Sequence, residues 1–138
     1  MVGKHIILTL VVGAGLFFLL RQFPHAAWGT MQIAGACLLG LGFVLWTVAR
    51  FQLGSSFAIT AQARHLVTHG LYSKIRNPIY VFGSCVIAGV ILIAGHPIFL
   101  LIFAAIIPLQ IWRGRKEAGV LEEKFGEQYR QYRARTWF

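Results

Sequence analysis

Acidic residues are almost missing from this chain. It has no aspartate, and its four glutamates (Glu117, Glu122, Glu123 and Glu127) lie together near the C-terminus. Charged side chains of both signs make up 12% of the 138 residues, roughly half the share of a soluble domain. A water-soluble enzyme with a charged, solvated surface is thereby excluded. Cysteine is scarce as well. Cys37 and Cys85 sit inside apolar runs, which gives neither a disulfide framework nor zinc-ligand spacing; both read as packing residues. There is no G-x-G-x-x-G or Walker loop, no internal repeat and no low-complexity linker. What abounds is apolar surface: 57% of the residues are hydrophobic, and the mean hydropathy is +0.68. One soluble core of this size cannot hide so much, and a disordered chain would not carry it. The composition predicts a bilayer as solvent, with room for about four spans of roughly 20 residues each.

Four apolar runs supply them, at residues 6–20, 30–49, 79–95 and 98–112. Each makes about 23–30 Å of helix. That is short for a span, so Trp28, Trp46, Tyr80 and Trp112 are expected as interfacial anchors, or the bilayer thins locally. The first run has the length of a signal-peptide core. The following Phe23, Pro24, His25, Ala26 and Ala27 make a poor cleavage site, so the run is read as a retained span. His96 and Pro97 are expected to form a tight turn between the last two runs. Small residues recur at Gly13 and Gly15, at Gly35, Ala36, Gly40 and Gly42, and at Gly83, Ser84, Ala88 and Gly89; they predict close helix packing in a compact bundle.

The cations set an orientation. With a cytoplasmic N-terminus, every lysine and arginine except Arg21 faces inward. The positive-inside rule then places both termini and the long middle loop in the cytoplasm of a multi-pass membrane protein. The formal charge of +9 raises the possibility of a nucleic-acid partner. The cations flank the spans instead, so membrane lipids are the expected partners and nucleic acid is not.

The polar information is concentrated in two segments on that same side, 51–78 and 113–138. In the first, Gly70 supplies a turn that other residues resist. Asn77 precedes a proline and is biased away from helix, and Pro78 suits the first turn of the third span. Free N–H groups at that helix terminus favour an anion; an ordinary inter-span loop is the plainer account. In the second segment Leu121, Phe125, Tyr129 and Tyr132 recur at helical spacing and predict one amphipathic helix. Gly126 weakens its middle by about 1 kcal/mol. A surface helix on anionic lipid satisfies that pattern. Arg113 and Glu117 share a helix face, as a simple ion pair or as a clamp for a zwitterionic ligand. His65 and His69 are four apart, but no third ligand is near, and no metal is expected.

The stretch Leu66-Val67-Thr68-His69-Gly70-Leu71-Tyr72, then Arg76-Asn77-Pro78-Ile79-Tyr80, then Glu117 and the run from Leu121 to Tyr132 resembles the isoprenylcysteine carboxyl methyltransferases. That family belongs with the phospholipid N-methyltransferases among small membrane methyltransferases. The resemblance covers about residues 50–135. It implies an all-α membrane protein of a single domain, residues 1–138. About four transmembrane helices, a cytoplasmic loop and a C-terminal amphipathic helix would enclose a pocket for S-adenosylmethionine. It further implies that Arg64, His65, Leu66, Val67, Tyr72, Asn77, Pro78, Ile79 and Tyr80 line that pocket, that Glu117 contacts the cofactor, and that Arg113 lies near an acceptor carboxylate as the catalytic residue. The acceptor would be a lipid or other lipophilic small molecule. Four positions depart from the family pattern. Asn77 stands where histidine is usual, Arg64 where many relatives carry histidine, Ala118 where a second glutamate is usual, and the glycine after Tyr80 comes late, as Gly83. These departures argue against assuming a prenylcysteine substrate. A carboxylate acceptor needs a cation rather than a base, whereas an amine needs deprotonation, for which no carboxylate–histidine pair offers itself. An NADPH-dependent sterol-type reductase and a non-catalytic membrane protein are the alternatives. The sequence does not set the oligomeric state.

Overall fold

A computed structural model describes residues 2–23, 28–53 and 68–137. The described residues form helices and no strand. Helix α1 spans Val2–Arg21 and α2 Thr30–Leu53. A 3-10 turn at Gly70–Ser73 leads into α3, Pro78–Ala94. A second 3-10 segment, Pro97–Ile102, opens α4, Phe103–Phe125, and α5 follows at Glu127–Arg135. Three stretches are long and apolar enough to cross a membrane, Gly3–Arg21, Thr30–Leu53 and Pro97–Phe125; Pro78–Ala94 is a shorter apolar helix. The protein is an all-α membrane protein. Large side chains such as Leu10, Phe18, Leu41 and Leu109 stand exposed along these helices, where lipid rather than protein would cover them.

The tightest packing is between α2 and α3, and glycine makes it possible. A Cβ placed on Gly35 would lie 2.7 Å from Leu92 Cβ, and one on Gly89 only 2.6 Å from the Leu39 backbone nitrogen. At Gly42 it would lie 2.9 Å from Cys85 Cβ. Water cannot drive helices together inside a bilayer, so close backbone approach through small residues does this work. Leu39 and Ile93 are buried at this contact's level. Of the small residues that predict packing, Gly40 and Gly15 meet nothing within 4 Å and take no part.

Two expectations need correction. The helix that carries the fourth run does not stop where the run does, at residue 112. One helix continues from Phe103 to Phe125, because no breaker interrupts Arg113–Lys124 and Gly114 and Gly119 are tolerated in place. The C-terminal amphipathic helix is not continuous either. It stops at Gly126, where φ is +54° and ψ −122°, a conformation open to glycine and strained for other residues. The Gly126 N–H still donates to Glu122 O at 2.8 Å, while its carbonyl accepts from Tyr129 and Arg130. The chain therefore turns and restarts. Tyr129 and Tyr132 are buried, whereas Leu121 and Phe125 on the preceding helix are half-buried.

At the other end of α3, Gly95 adopts φ +76° and caps the helix, its N–H donating to Leu92 O. His96 and Pro97 then start the 3-10 segment, the turn expected at that place.

Candidate functional site

The functional side chains gather where α3 begins, opposite Gly95. Asn77 precedes Pro78 and starts α3 through its backbone: its carbonyl accepts from the Tyr80 and Val81 N–H groups at 3.2 and 3.3 Å. Its side chain makes no capping bond and lies against Gly114 of α4. One turn on, Tyr80 is aimed at α4. Its hydroxyl donates to Glu117 Oε1 at 2.5 Å, and Arg113 Nε donates to the same oxygen at 3.1 Å. The Arg113 guanidinium carbon is 5.8 Å from the centre of the Tyr80 ring. A phenol and a guanidinium thus share one carboxylate oxygen. Both bonds are charge-assisted, the stronger kind, and the three groups fix one another's rotamers. The Arg113–Glu117 spacing was legible as a shared face; Tyr80 as its third member was not, since 37 residues separate it from Glu117.

The 3-10 turn at Gly70–Ser73 is fastened from both sides. Gln52, near the end of α2, accepts the Leu71 N–H at 2.8 Å. Gly70 adopts φ +60°, which strains other residues, and a Cβ there would push the Gln52 amide out of this bond. From the other side the Tyr132 hydroxyl of α5 donates to the Tyr72 carbonyl at 2.8 Å, and the Trp137 N–H donates to Lys74 O at 2.8 Å. This docking needs the break at Gly126. Tyr72 is buried, and burial pushes its phenol well above the usual range; the neighbouring Tyr132, Glu117 and Tyr80 add to the effect. Tyr72 therefore sits within electrostatic reach of Glu117. Burial likewise pushes Tyr132 up to about 12, with Tyr129 adding and Arg76 opposing.

Between α3, α4 and α5 lies an open cleft of about 560 Å³, within the range of small-ligand sites. Its wall is apolar on the span side, with Val81, Ile107 and Ile111, and charged at the other end, with Arg76, Arg115, Arg133 and Glu117. Tyr129 and Tyr132 line it as well. Arg76 Nε is buried without a hydrogen-bond partner among the described residues. Such a wall can hold a molecule that is anionic in one part and carries hydroxyl or ammonium donors in another, beside an apolar chain.

Asn77, Tyr80 and Glu117, which the resemblance assigns to a cofactor pocket, line this cavity. Tyr72, Pro78, Ile79 and Arg113 stand around it but are not on its wall: Pro78 is fully buried in the start of α3, and Arg113 reaches the site through Glu117. Arg64, His65, Leu66 and Val67 lie outside the described residues. The sequence reading missed Gln110, Gly114, Arg115 and Arg133 as wall residues. Gln110 carried a signal, being an amide inside an apolar run. The two arginines carried none, since a basic helix end is ordinary at a membrane surface.

A comparison with curated proteins finds no match. Residues 30–128 match the family described as phospholipid methyltransferase. The matched region takes in the close α2–α3 pair, the 3-10 turn, the Tyr80–Glu117–Arg113 network and the whole of α4, and the chain belongs to that family.

Proposed function

We propose that this chain transfers a methyl group from S-adenosylmethionine to the polar group of a lipophilic acceptor drawn from the bilayer, and that the site faces the cytoplasm. The observation that carries this reading is the Tyr80–Glu117–Arg113 network beside a cavity that is charged at one end and apolar at the other. The orientation rests on the charge asymmetry, which puts the cation-rich ends of the helices inside.

The residues present suit the cofactor. Glu117 is the carboxylate for the ribose hydroxyls or for the ammonium of the methionine part. Arg76, whose Nε has no partner among the described residues, is the cation for the methionine carboxylate. The Tyr80 ring offers its face to a sulfonium, and Tyr129 and Tyr132 offer flat, largely apolar surface to a purine. The resemblance adds Arg64, His65, Leu66 and Val67 to this pocket. Tyr72 and Pro78 act behind the wall, setting the position of the 3-10 turn and of α3; Asn77 and Ile79 set the start of that helix.

S-adenosylmethionine supplies, when bound, a methyl group already activated on a sulfonium. The chain then has to hold donor and acceptor in line and keep water out, which is worth about 7–11 kcal/mol for well-aligned reactants. Tyr80, held by Glu117, fixes one side of that alignment. The apolar walls of α3 and α4 hold the acceptor chain. The narrower form of the proposal is carboxyl O-methylation, in which a cation holds the acceptor carboxylate. The resemblance names Arg113 for it; Arg115 and Arg133 on the cavity wall support the same role.

The test is calorimetric titration of the detergent-solubilised protein with S-adenosylmethionine, followed by radiolabelled methyl transfer into a bilayer lipid extract. Binding that Glu117→Gln weakens about tenfold, the loss of a charge-assisted bond, together with label in a lipid fraction, supports the reading. A protein that binds no cofactor rejects it.

A further inference from the structure

Ser84 of α3 and Gln110 of α4 meet beside the cavity, inside the two apolar segments that form its membrane-side wall, and the Tyr80–Glu117–Arg113 network does not use them. The distances set the sense of the pair. Ser84 Oγ lies 2.8 Å from the Tyr80 carbonyl, 3.1 Å from Gln110 Nε2 and 3.3 Å from Gln110 Oε1. A serine hydroxyl has one proton to give. The Tyr80 carbonyl is the nearer of the two acceptors, so the proton is assigned there. The serine lone pairs then accept from Gln110 Nε2, and the glutamine amide is held with its NH₂ toward α3. Gln110 Oε1 is left as the group with acceptor capacity to spare.

Gln110 lines the cavity together with Val81, Ile107 and Ile111. A carbonyl oxygen in apolar surroundings is costly until a donor reaches it. The charged residues of α4 on this wall begin at Arg115, about 7–8 Å further along the helix axis. Gln110 is therefore the polar group on α4 that a ligand's apolar chain would meet before the charged end.

We propose that Gln110, oriented by Ser84, reads the acceptor: its carboxamide oxygen takes a hydrogen bond from an O–H or N–H on the head group. The cavity then favours amphiphiles bearing such a donor next to the apolar chain over ethers and carboxylates, which bear none. This deepens the methyltransferase reading above, on which it rests for the word acceptor, and puts a head group bearing an O–H or N–H in place of that reading's narrower, carboxylate form. Gln110 touches the ligand; Ser84 is a positioning residue acting through Gln110.

Three probes of equal chain length separate the chemistry: dodecanol, its methyl ether, and dodecanoate, each titrated into the solubilised protein in maltoside micelles. Dodecanol is expected to bind about three- to tenfold more tightly than the ether, the value of one net hydrogen bond, and more tightly than dodecanoate. Gln110→Leu should bring alcohol and ether within about twofold of each other. Ser84→Ala should do the same in part, and Ser84→Thr, which keeps the hydroxyl, should restore the preference. Equal binding of alcohol and ether by the wild type overturns the proposal, as does a preference for dodecanoate or a preference that survives Gln110→Leu. Should Gln110→Leu fail to fold, the Ser84→Ala and Ser84→Thr pair decides, and a preference unmoved by Ser84→Ala overturns the assignment. S-adenosylhomocysteine binding, measured on the same samples, keeps the two readings apart. A protein that binds it without the alcohol preference loses only the Gln110 assignment. A protein that shows the preference but binds no S-adenosylhomocysteine keeps Gln110 as the reader of an amphiphile site and loses the methyltransferase reading.

Discussion

Helix α3 has a neighbour on each side and holds the two in opposite ways. Toward α2 the backbones touch at Gly35, Gly42 and Gly89, where an added Cβ would meet atoms at 2.6–2.9 Å. Toward α4 the backbones stay apart, and long polar side chains cross the gap: Tyr80 to Glu117 and Gln110 to Ser84. The first seam is filled and leaves no room for a ligand. The second is latched but open, and the cavity lies in it. Packing by small residues gives rigidity in a bilayer, whereas side-chain latches allow a seam to be both specific and spacious. A lipid-facing enzyme needs one of each: a fixed wall to carry its site and an adjustable one to receive its acceptor.

The contrast breaks most severely at Gly89. Gly89→Ala puts a methyl 2.6 Å from the Leu39 nitrogen and 2.7 Å from Gly35 O. Backbone cannot step aside as a side chain can, so the helices must separate. The expected cost is about 3 kcal/mol, the upper end for overpacking, read as a lower thermal midpoint of the solubilised protein. A midpoint unchanged by this substitution would show that α2 and α3 are not in backbone contact.

The second effect in size falls on the open seam and on function rather than stability. Tyr80→Phe removes one of the two bonds onto Glu117 Oε1 but leaves the Arg113 bond. Cofactor affinity should fall about tenfold, as for a lost charge-assisted bond, while the thermal midpoint moves far less than in Gly89→Ala. Equal damage to both would mean that the latch is a structural strut and the cavity an accident of it.

The two seams were unequally legible in the sequence. Gly35, Gly42 and Gly89 stand among small residues within the runs, so close helix packing could be read, though not which helices would meet nor that Gly40 would face away. The open seam could not be read. Tyr80 and Glu117 are joined across 37 residues by a geometry that no local pattern encodes, and Gln110 is a single amide inside an apolar run. Gly126 misled in a different way. Its helix propensity suggested a weak point, but the positive φ makes it a break, and only the break lets Tyr132 reach the Tyr72 carbonyl. The paired Arg113 and Glu117 were found because both lie on one helix, where spacing and neighbourhood are the same thing.

The docking of α5 offers a way to sharpen the comparison by pH. Burial pushes the Tyr132 phenol up from an ordinary 10 to about 12, and burial moves Tyr72 in the same direction. Below pH 10 both phenols are neutral in the folded and unfolded chain, so their contribution is complete. Between pH 10 and 12 the unfolded chain ionises first, and the stability they supply is lost as the pH rises. Tyr132→Phe gives up a hydrogen bond worth about 1 kcal/mol at neutral pH. It should then lose less than the wild type on going from pH 9 to 12, since one of the two buried phenols that close the site no longer titrates. Parallel decline of the two proteins, followed by thermal midpoint against pH, would detach Tyr132 from the closure of the site.

The smallest expected effect is also the direct counterpart of the largest. Gly119 lies in α4 beyond the latch, exposed, with nothing within 4 Å of the position a Cβ would take. Gly119→Ala adds the same methyl as Gly89→Ala, but into open space. There the change acts on the helix alone, where alanine is favoured over glycine by up to about 1 kcal/mol; at an exposed site in a helix already held at both ends, about 0.5 kcal/mol of stabilisation is expected. The thermal midpoint should rise slightly and cofactor binding should not change. One methyl group therefore has opposite signs on the two helices that flank the site. The sign reports whether the surrounding space is already filled by backbone, which is the physical difference between a seam that builds the scaffold and one that admits a ligand.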